Sequence, residues 1–154
     1  MTAPRVAVVI QNETSSSNIP SATRLRAWAR AAVATAAAGE ITVRLVDEAE
    51  SAELNRRFRG RMGATNVLAF AAEATLPMDA AELLPIGDVV VCAPLVLREA
   101  AEQGRALEAH WAHIVIHGCL HLVGYDHEDD AQARLMESRE RALLARFGFP
   151  DPYG

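Results

Sequence analysis

The pattern of hydrophobic and polar positions divides the chain into segments with the period of strands and segments with the period of helices. Runs rich in Val and Ile, one of which alternates with polar residues, predict strands. These strands are expected at 5–11, 41–47, 65–71 and 86–93. Apolar residues at helical spacing, bounded by Gly, Pro or capping residues, predict five helices. The helices are expected at about 21–39, 48–59, 94–104, 107–123 and 131–147.

The order of these elements indicates an α+β domain. Two strand–helix pairs and two further strands precede three helices, which does not fit a regularly alternating parallel architecture. We therefore predict a single domain over residues 1–154, in which a small mixed four-stranded sheet packs with about five helices. Asp47 and Glu50 resemble a capping box at the start of the second helix. The poorly patterned segment 73–85 is predicted to be a mobile loop.

The composition is that of an ordinary globular protein. The chain has 154 residues, 51% of them hydrophobic, which is long enough to bury a core without disulfide staples. Its 15 basic side chains, all of them Arg, stand against 20 acidic ones, for a formal net charge of -5. This balance excludes a protein that coats nucleic acid by bulk charge, but it does not exclude a positively charged groove.

Positive charge is concentrated in one interval of the chain. No Asp or Glu occurs between Glu53 and Glu73, and four arginines fall there, for a local charge of +4. These arginines are Arg56, Arg57, Arg59 and Arg61. Acidic residues cluster elsewhere, at 47–53 and 126–130. The interval predicts a short, salt-sensitive contact with a few phosphates, with partner surfaces supplying much of the targeting.

Cysteine content and the length of apolar runs predict a cytoplasmic protein. Cys92 and Cys119 are too few for a disulfide scaffold. The first residues lack the charged region and the long apolar run of a signal peptide. The longest fully apolar runs are far shorter than the roughly 20 residues that cross a bilayer, so no membrane span is expected.

All five histidines lie between positions 110 and 127, in the fourth predicted helix and the turn after it. His117 and His121 are four residues apart, about 40° around a helix, so both project from one face. Gly124 then allows the chain to reverse and His127 to return as a third ligand. Three neutral imidazoles with an open fourth position suit a catalytic zinc ion, because water must bind at that position.

The spacing of these histidines is also that of the metzincin proteases, whose motif has a glutamate directly after the first histidine. Gly118 stands at that position and has no group that accepts a proton, which argues against peptide hydrolysis by that route. A different interpretation of His117 and His121 is that they only fill or cap a polar helix face.

Neighbouring positions on the fourth helix have less defined roles. His113 lies one turn before His117 and extends the same stripe, either as a ligand or, as we favour, as a group that orients the site or lines the groove. His110 is expected at the surface. Cys119 points away from His117 on the helix and is expected in the core.

The motif HGCLHLVGYDH and several other segments resemble the YbeY family, the bacterial endoribonucleases also described as ribosomal RNA maturation factors. The other segments are LNRRFRGRMGATNVLAF at 54–70, IGDVVV at 86–91, EAHWAHIVIHG before the motif, Met136 and Glu140 after it, and DPY near the end. The sequence departs from many relatives at 61–64, where they carry Lys-Asp and a Pro, and at Ala69, which replaces a Ser.

The resemblance implies a zinc-dependent endoribonuclease specific for single-stranded RNA, with one zinc ion per chain held by His117, His121 and His127. It also places Arg59 in the adjacent groove, so that Arg59, His117 and His121 become the catalytic candidates. A guanidinium fork suits phosphate, although Arg59 can also be read as a solvated cation at a helix end. The implied role is the maturation of the small-subunit ribosomal RNA 3′ end and ribosome quality control. The implied partners are ribosomal RNA, the small ribosomal subunit and assembly factors, without DNA or membrane.

Two other functions stay open on the sequence. No general base is identifiable in the sequence. Asp126 could orient His127, take a proton or cap the turn, and the role of Asp88 is equally ambiguous. This favours a non-catalytic ribosome-assembly factor in which zinc only holds the fold. The second alternative is a metal-dependent hydrolase of another substrate, such as a small amide or phosphoester.

Overall fold

The computed structural model describes residues 6–34, 38–72 and 84–154. Four strands and five helices occur there, as the sequence predicts, but Gly39, which was expected to stop the first helix, instead begins the second strand. The strands are β1 (Val6–Asn12), β2 (Gly39–Val46), β3 (Val67–Ala71) and β4 (Pro85–Cys92). The helices are α1 (Ala22–Val33), α2 (Glu48–Arg59), α3 (Ala93–Glu102), α4 (Leu107–Leu122) and α5 (Asp130–Arg146). The predicted loop at 73–85 lies outside the described residues up to position 83. No helix within the described ranges is both long and apolar enough to cross a membrane.

The strands form one mixed sheet in the order β1-β2-β4-β3. β1 and β4 both run parallel to β2, whereas β3 pairs with β4 in the antiparallel direction. Val67 of β3 lies opposite Val91, and Ala71 lies opposite Gly87. This confirms the predicted α+β class with a mixed sheet, and it leaves β3 at one end of the strand order, beside the last turns of α4.

Alternation along the strands separates two apolar clusters. Ile41, Val43 and Leu45 of β2 belong to the main core, which also contains residues of α1, α4 and α5. Cys119 is buried in that core, as predicted. A smaller cluster of Val46, Leu68 and Val90, with Leu54 and Phe70 packed against it, lies under α2. Because burial of each large aliphatic side chain contributes about 1.5–3 kcal/mol, the main core holds α4 firmly against the sheet.

The start of α2 corrects one prediction. The helix begins at Glu48 as expected, but Asp47 makes no side-chain capping bond, and the proposed capping box is wrong. Its carboxylate instead accepts hydrogen bonds from the Thr14 hydroxyl and from the hydroxyl of Ser15, the latter at 2.7 Å. Glu50 pairs with Arg44 at 2.6 Å. Both carboxylates therefore have partners outside the helix, and Asp47 ties the segment after β1 to α2.

Gly118 marks a close approach between α4 and the sheet. A Cβ atom at this position would lie 2.8 Å from Cγ1 of Val89 and 2.9 Å from Cγ2 of Val67, which is closer than carbon atoms pack. The position that holds glutamate in the metzincin motif thus faces the sheet here and has no room for a side chain. The neighbouring His117 and His121 line a cleft beside β3.

Candidate metal centre and cleft

The end of α4 brings three histidines together. Leu122 is the last residue of the helix, and Gly124 follows with a φ of +103°, a left-handed conformation that glycine adopts readily. The chain reverses there and returns His127 to His117 and His121. One ring nitrogen from each histidine lies within 4.8 Å of the other two. The sequence prediction that these three side chains converge therefore agrees with the structure.

The geometry of this group fits a metal ion. Nε2 of His117 and Nε2 of His121 are 3.2 Å apart. Nitrogen ligands at about 2.0–2.1 Å from a tetrahedral ion would be separated by about 3.3–3.4 Å. Burial lowers the pKa of His121, and the neighbouring His117 and His127 lower it further. These effects favour the neutral imidazole, which is the form that binds metals.

Glu140 of α5 lies directly behind this group and is fully buried. Its Oε2 lies 2.5 Å from Nδ1 of His117, and its Oε1 lies 3.1 Å from Nε2 of His113. The hydroxyl of Tyr153 also donates to Oε1. Burial alone would raise the pKa of Glu140, but the hydrogen bonds from His113, His117 and Tyr153 outweigh it and hold the pKa at about 2. Glu140 is therefore a carboxylate beside the histidines.

In the sequence, Glu140 stands out only through the family resemblance, which does not indicate its contacts. The signal that identifies it is its place on the buried face of α5. Met136, Leu143 and Leu144 share that face. A carboxylate among apolar residues at helical spacing requires buried partners, because an unpaired charge in the interior is costly.

The two remaining histidines of α4, His110 and His113, do not line the cleft. His113 contacts Glu140 and Tyr153, in agreement with an orienting role. His110 was expected at the surface, and this prediction is wrong, because only 3% of the residue is exposed. Its Nε2 lies 2.9 Å from Oε1 of Glu99 on α3. The packing of α3 against α4 covers this position, and a contact between two helices cannot be read from the residue spacing within one of them.

A cleft of 790 Å³ opens beside the three histidines, between the end of α2, the loop after it and β3. Arg59 lies on its wall and donates from Nη2 to the carbonyl oxygen of Ala69 at 2.8 Å. The guanidinium also lies 5.7 Å from the centre of the Phe70 ring. Because Ala69 contributes its backbone, the replacement of the usual serine there leaves this contact possible. The cleft thus combines Arg59 with all three histidines of the predicted site.

The four arginines of the acid-free interval have different surroundings. Arg59 and Arg61 line the cleft. Arg56 instead pairs with Glu53 at 2.7 Å, and the guanidinium of Arg57 lies 5.5 Å from the centre of the Phe58 ring. The local charge of +4 in the sequence therefore corresponds to two cleft arginines in the structure.

The two aspartates with ambiguous roles, Asp126 and Asp88, lie in different parts of the structure, and only Asp126 lines the cleft. Oδ1 of Asp126 accepts a hydrogen bond from the backbone N–H of His127 at 2.8 Å and lies 3.8 Å from Nδ1 of the same residue, so Asp126 contacts both the backbone of the turn and the ring of a cleft histidine. Asp88 belongs to another depression, together with Arg44 and Phe58. It lies on the sheet face that α2 covers, because it alternates with the core residue Val89 along β4.

Several known proteins resemble this chain over most of its length. A family model described as endoribonuclease YbeY matches residues 9–148. Endoribonuclease YbeY of Halorhodospira halophila is 56% identical over 137 residues, which cover 87% of this chain and 88% of that protein. Endoribonuclease YbeY of Pseudomonas putida strain W619 is 54% identical over 135 residues, covering 87% and 85%. The solution structure of a Thermotoga maritima protein aligns with a TM-score of 0.57 and 29% identity, covering 88% of this chain and 87% of that one.

Proposed function

The chain belongs to the endoribonuclease YbeY family, and from this premise we propose that it cleaves single-stranded RNA at a zinc ion held by His117, His121 and His127. It is a hydrolase that cuts within RNA. The observation that carries the proposed site is that Arg59 and the three histidines line one cleft. The proposed physiological task is the maturation of the small-subunit ribosomal RNA 3′ end in the cytoplasm, together with ribosome quality control. Its proposed partners are the small ribosomal subunit and assembly factors.

The three histidines are the proposed zinc ligands. A bound zinc ion would supply Lewis acidity to the phosphodiester and its nucleophile. Structural zinc sites have four protein ligands, whereas catalytic sites have three and leave one position open. Among the residues that the structure describes, the group at the mouth of the cleft has three members. This count favours a catalytic centre over a zinc ion that only holds the fold.

Arg59 is proposed to bind and orient the scissile phosphate. The contact of its Nη2 with Ala69 fixes the guanidinium, and the Phe70 ring supports one face of it. The remaining N–H groups can then bind phosphate oxygens, and hydrogen bonds to charged groups contribute about 1.5–3 kcal/mol each. A guanidinium already held in place stabilises developing negative charge without reorganisation.

The position of the histidines favours an unpaired strand as the substrate. The side chain of His117 is only 22% exposed, so a phosphodiester must bend into the cleft to reach it. Unpaired nucleotides splay out from their neighbours, which a stacked duplex resists. We therefore expect cleavage in single-stranded segments.

The test is cleavage of a labelled single-stranded RNA by the purified wild type and three variants. His117→Ala and Arg59→Glu should each lower the rate by at least about 100-fold. Arg57→Glu is the matched control, because it makes the same charge change on the same helix at a residue outside the cleft lining. It should stay within about twofold of the wild type, as exposed charges contribute little. Equal activity of all four proteins would mean a contaminating nuclease or a different site.

Metal analysis tests the zinc assignment and the assembly-factor alternative together. We expect about one zinc ion per chain by elemental analysis and loss of cleavage on chelation. The chelated protein should stay folded by circular dichroism. A chelated protein that unfolds, and a loaded one that binds the small subunit without turnover, would favour a structural zinc.

A further inference from the structure

A chain of polar side chains leads from His117 away from the cleft to the segment between α3 and α4. Its first link is the contact between His117 and Glu140, and its second is the contact between Glu140 and His113. Nδ1 of His113 then lies 3.4 Å from Nη1 of Arg105. The same Nη1 lies 3.1 Å from Nδ1 of His110. Arg105 therefore contacts two histidines of α4 from outside the cleft.

Arg105 determines which nitrogen of each histidine carries the proton. A guanidinium only donates hydrogen bonds, so Nδ1 of His110 and Nδ1 of His113 must be acceptors. The proton of each neutral ring is then on Nε2. Nε2–H of His110 donates to Glu99 at 2.9 Å, and Nε2–H of His113 donates to Glu140 at 3.1 Å. Every contact in the chain is satisfied by this one arrangement.

Glu140 in turn determines which ring nitrogen of His117 carries the proton. As a carboxylate it only accepts hydrogen bonds, so Nδ1 of His117, at 2.5 Å, must carry a proton. The lone pair of a neutral His117 is then on Nε2, the atom that faces Nε2 of His121 at 3.2 Å. This is the tautomer that a metal bound between the histidines requires.

We propose that Glu140 is a positioning residue, which holds His117 as the Nδ1–H tautomer with Nε2 directed at the metal, and that Arg105 and Tyr153 keep Glu140 in this role. This inference rests on the proposed function only in taking the bound ligand to be a metal ion; the hydrogen-bond arrangement itself does not depend on it. Tyr153 is itself held in place, because its backbone N–H donates to Asp151 and Asp151 pairs with Arg141 at 3.0 Å. The last residues of the chain thus support the centre without lining the cleft.

Substitution of Glu140 by glutamine breaks this arrangement for a specific reason. Glu140 accepts three donors on two oxygens, and a glutamine has one oxygen and one NH2 group. If its oxygen accepts from His117, its NH2 group faces Nε2 of His113, which then has to accept. His113 would have to move its proton to Nδ1, opposite the N–H of Arg105. The variant therefore cannot satisfy His117 and His113 at once.

The first measurement is the ring 15N spectrum of the metal-free protein, at a pH above the ordinary histidine pKa of about 6.5. We expect His117 as the Nδ1–H tautomer and His113 as the Nε2–H tautomer in the wild type. Glu140→Gln should change at least one of these tautomers. The matched control Glu137→Gln removes the charge from a neighbouring side chain of α5 and should change neither. A wild-type His117 with its proton on Nε2 would overturn the proposal.

The second measurement is the zinc dissociation constant by competition with a chelator. Glu140→Gln should weaken zinc binding by about 10–100-fold, the usual effect of losing a residue that orients a ligand. Tyr153→Phe removes a single hydroxyl from a half-exposed side chain and should weaken it by about 2–10-fold without affecting the fold. Affinities equal to that of Glu137→Gln in both variants would overturn the role of Glu140. A wild type that binds no zinc, yet shows the expected tautomers, would refute the proposed metal centre and support the hydrogen-bond arrangement.

Discussion

At the scale of single residues, the candidate site depends on side chains that are held in place before any substrate arrives. Arg59 illustrates this, because one of its nitrogen atoms donates to the Ala69 carbonyl and its plane lies near the Phe70 ring. Arg61 lines the same cleft from the loop after α2. The two arginines therefore offer equal charge with different degrees of constraint.

Replacing each cleft arginine by lysine separates charge from geometry. Lysine keeps the positive charge but lacks the planar fork, so Arg59→Lys loses both the Ala69 contact and a bidentate contact with phosphate. We expect kcat/KM on single-stranded RNA to fall by about 10–100-fold, which corresponds to roughly 1.4–2.8 kcal/mol of transition-state stabilisation. Arg61→Lys should cost less than about threefold. A loss below about threefold in Arg59→Lys as well would show that Arg59 acts by charge alone.

The sequence predicts some of these residues well and others poorly, for physical reasons. His117, His121 and His127 follow from helix periodicity and one glycine turn, which are local. Their convergence could therefore be predicted without tertiary information. The burial of His110 and the contacts of Glu140 depend on how α3 and α5 pack on α4. Such contacts join different helices, and spacing within one helix does not report them.

At the scale of elements, the contact of α4 with the sheet determines where the histidines lie. Gly118 allows this contact, because a Cβ atom there would overlap Val89 and Val67. Most helix and strand boundaries could be predicted from the local pattern, although α1 ends at Val33 and not near Gly39. The close approach of α4 to the sheet could not be predicted from that pattern. A glycine within a helix normally lowers its stability, and only the packing explains its presence here.

Gly118→Ala tests this contact through the sign of its effect. Helix propensity alone predicts that the alanine stabilises the protein by about 1 kcal/mol. Overpacking against two stiff valines costs about 1–3 kcal/mol, so we expect a net loss of about 1 kcal/mol in the free energy of unfolding. Urea denaturation measures it. Adding Val67→Ala makes room for the new methyl group, so the double variant should be less destabilised than the sum of the single ones. Stabilisation by Gly118→Ala alone would contradict the close contact.

A second element-scale contact joins the segment after β1 to the start of α2. The Thr14 hydroxyl, and after it Ser15, donate hydrogen bonds that lower the pKa of Asp47. A carboxyl whose pKa is lower in the folded state than in the unfolded state stabilises the fold above its unfolded pKa. That stabilisation is lost as the pH falls through the folded pKa.

The melting temperature of Asp47→Asn, compared with that of the wild type across acid pH, measures this contribution. At neutral pH the variant should melt at a lower temperature. The difference should shrink once the pH falls below the unfolded aspartate pKa of about 3.9. Acid effects on the histidines are common to both proteins and cancel in the difference. In a Thr14→Val background the pH-dependent part of this difference should be smaller, because the Asp47 carboxylate has then lost its main hydrogen-bond donor. A difference that stays constant with pH would contradict the assignment.

At the scale of the whole molecule, the distribution of charge decides how RNA is bound. The protein carries a formal net charge of -5, so its overall field repels phosphate outside the cleft. Its positive interval has four arginines in sequence, but Arg56, which pairs with Glu53, and Arg57, which lies over Phe58, do not line the cleft. Two arginines therefore remain for the RNA in the cleft. Binding energy of this size is small, which agrees with the proposal that ribosomal partners supply much of the targeting.

The salt dependence of RNA binding distinguishes two phosphate contacts from four. For single-stranded nucleic acid, log K falls with log salt with a slope of about -0.7 per neutralised phosphate. Two cleft arginines predict a slope of about -1.4, and all four arginines would give about -2.8. Fluorescence anisotropy of a labelled single strand, titrated with metal-free protein at several salt concentrations, measures the slope without cleavage. Arg61→Gln should reduce the slope to about -0.7, and Arg57→Gln should leave it unchanged. A wild-type slope near -2.8 would show that the RNA path leaves the cleft and follows α2.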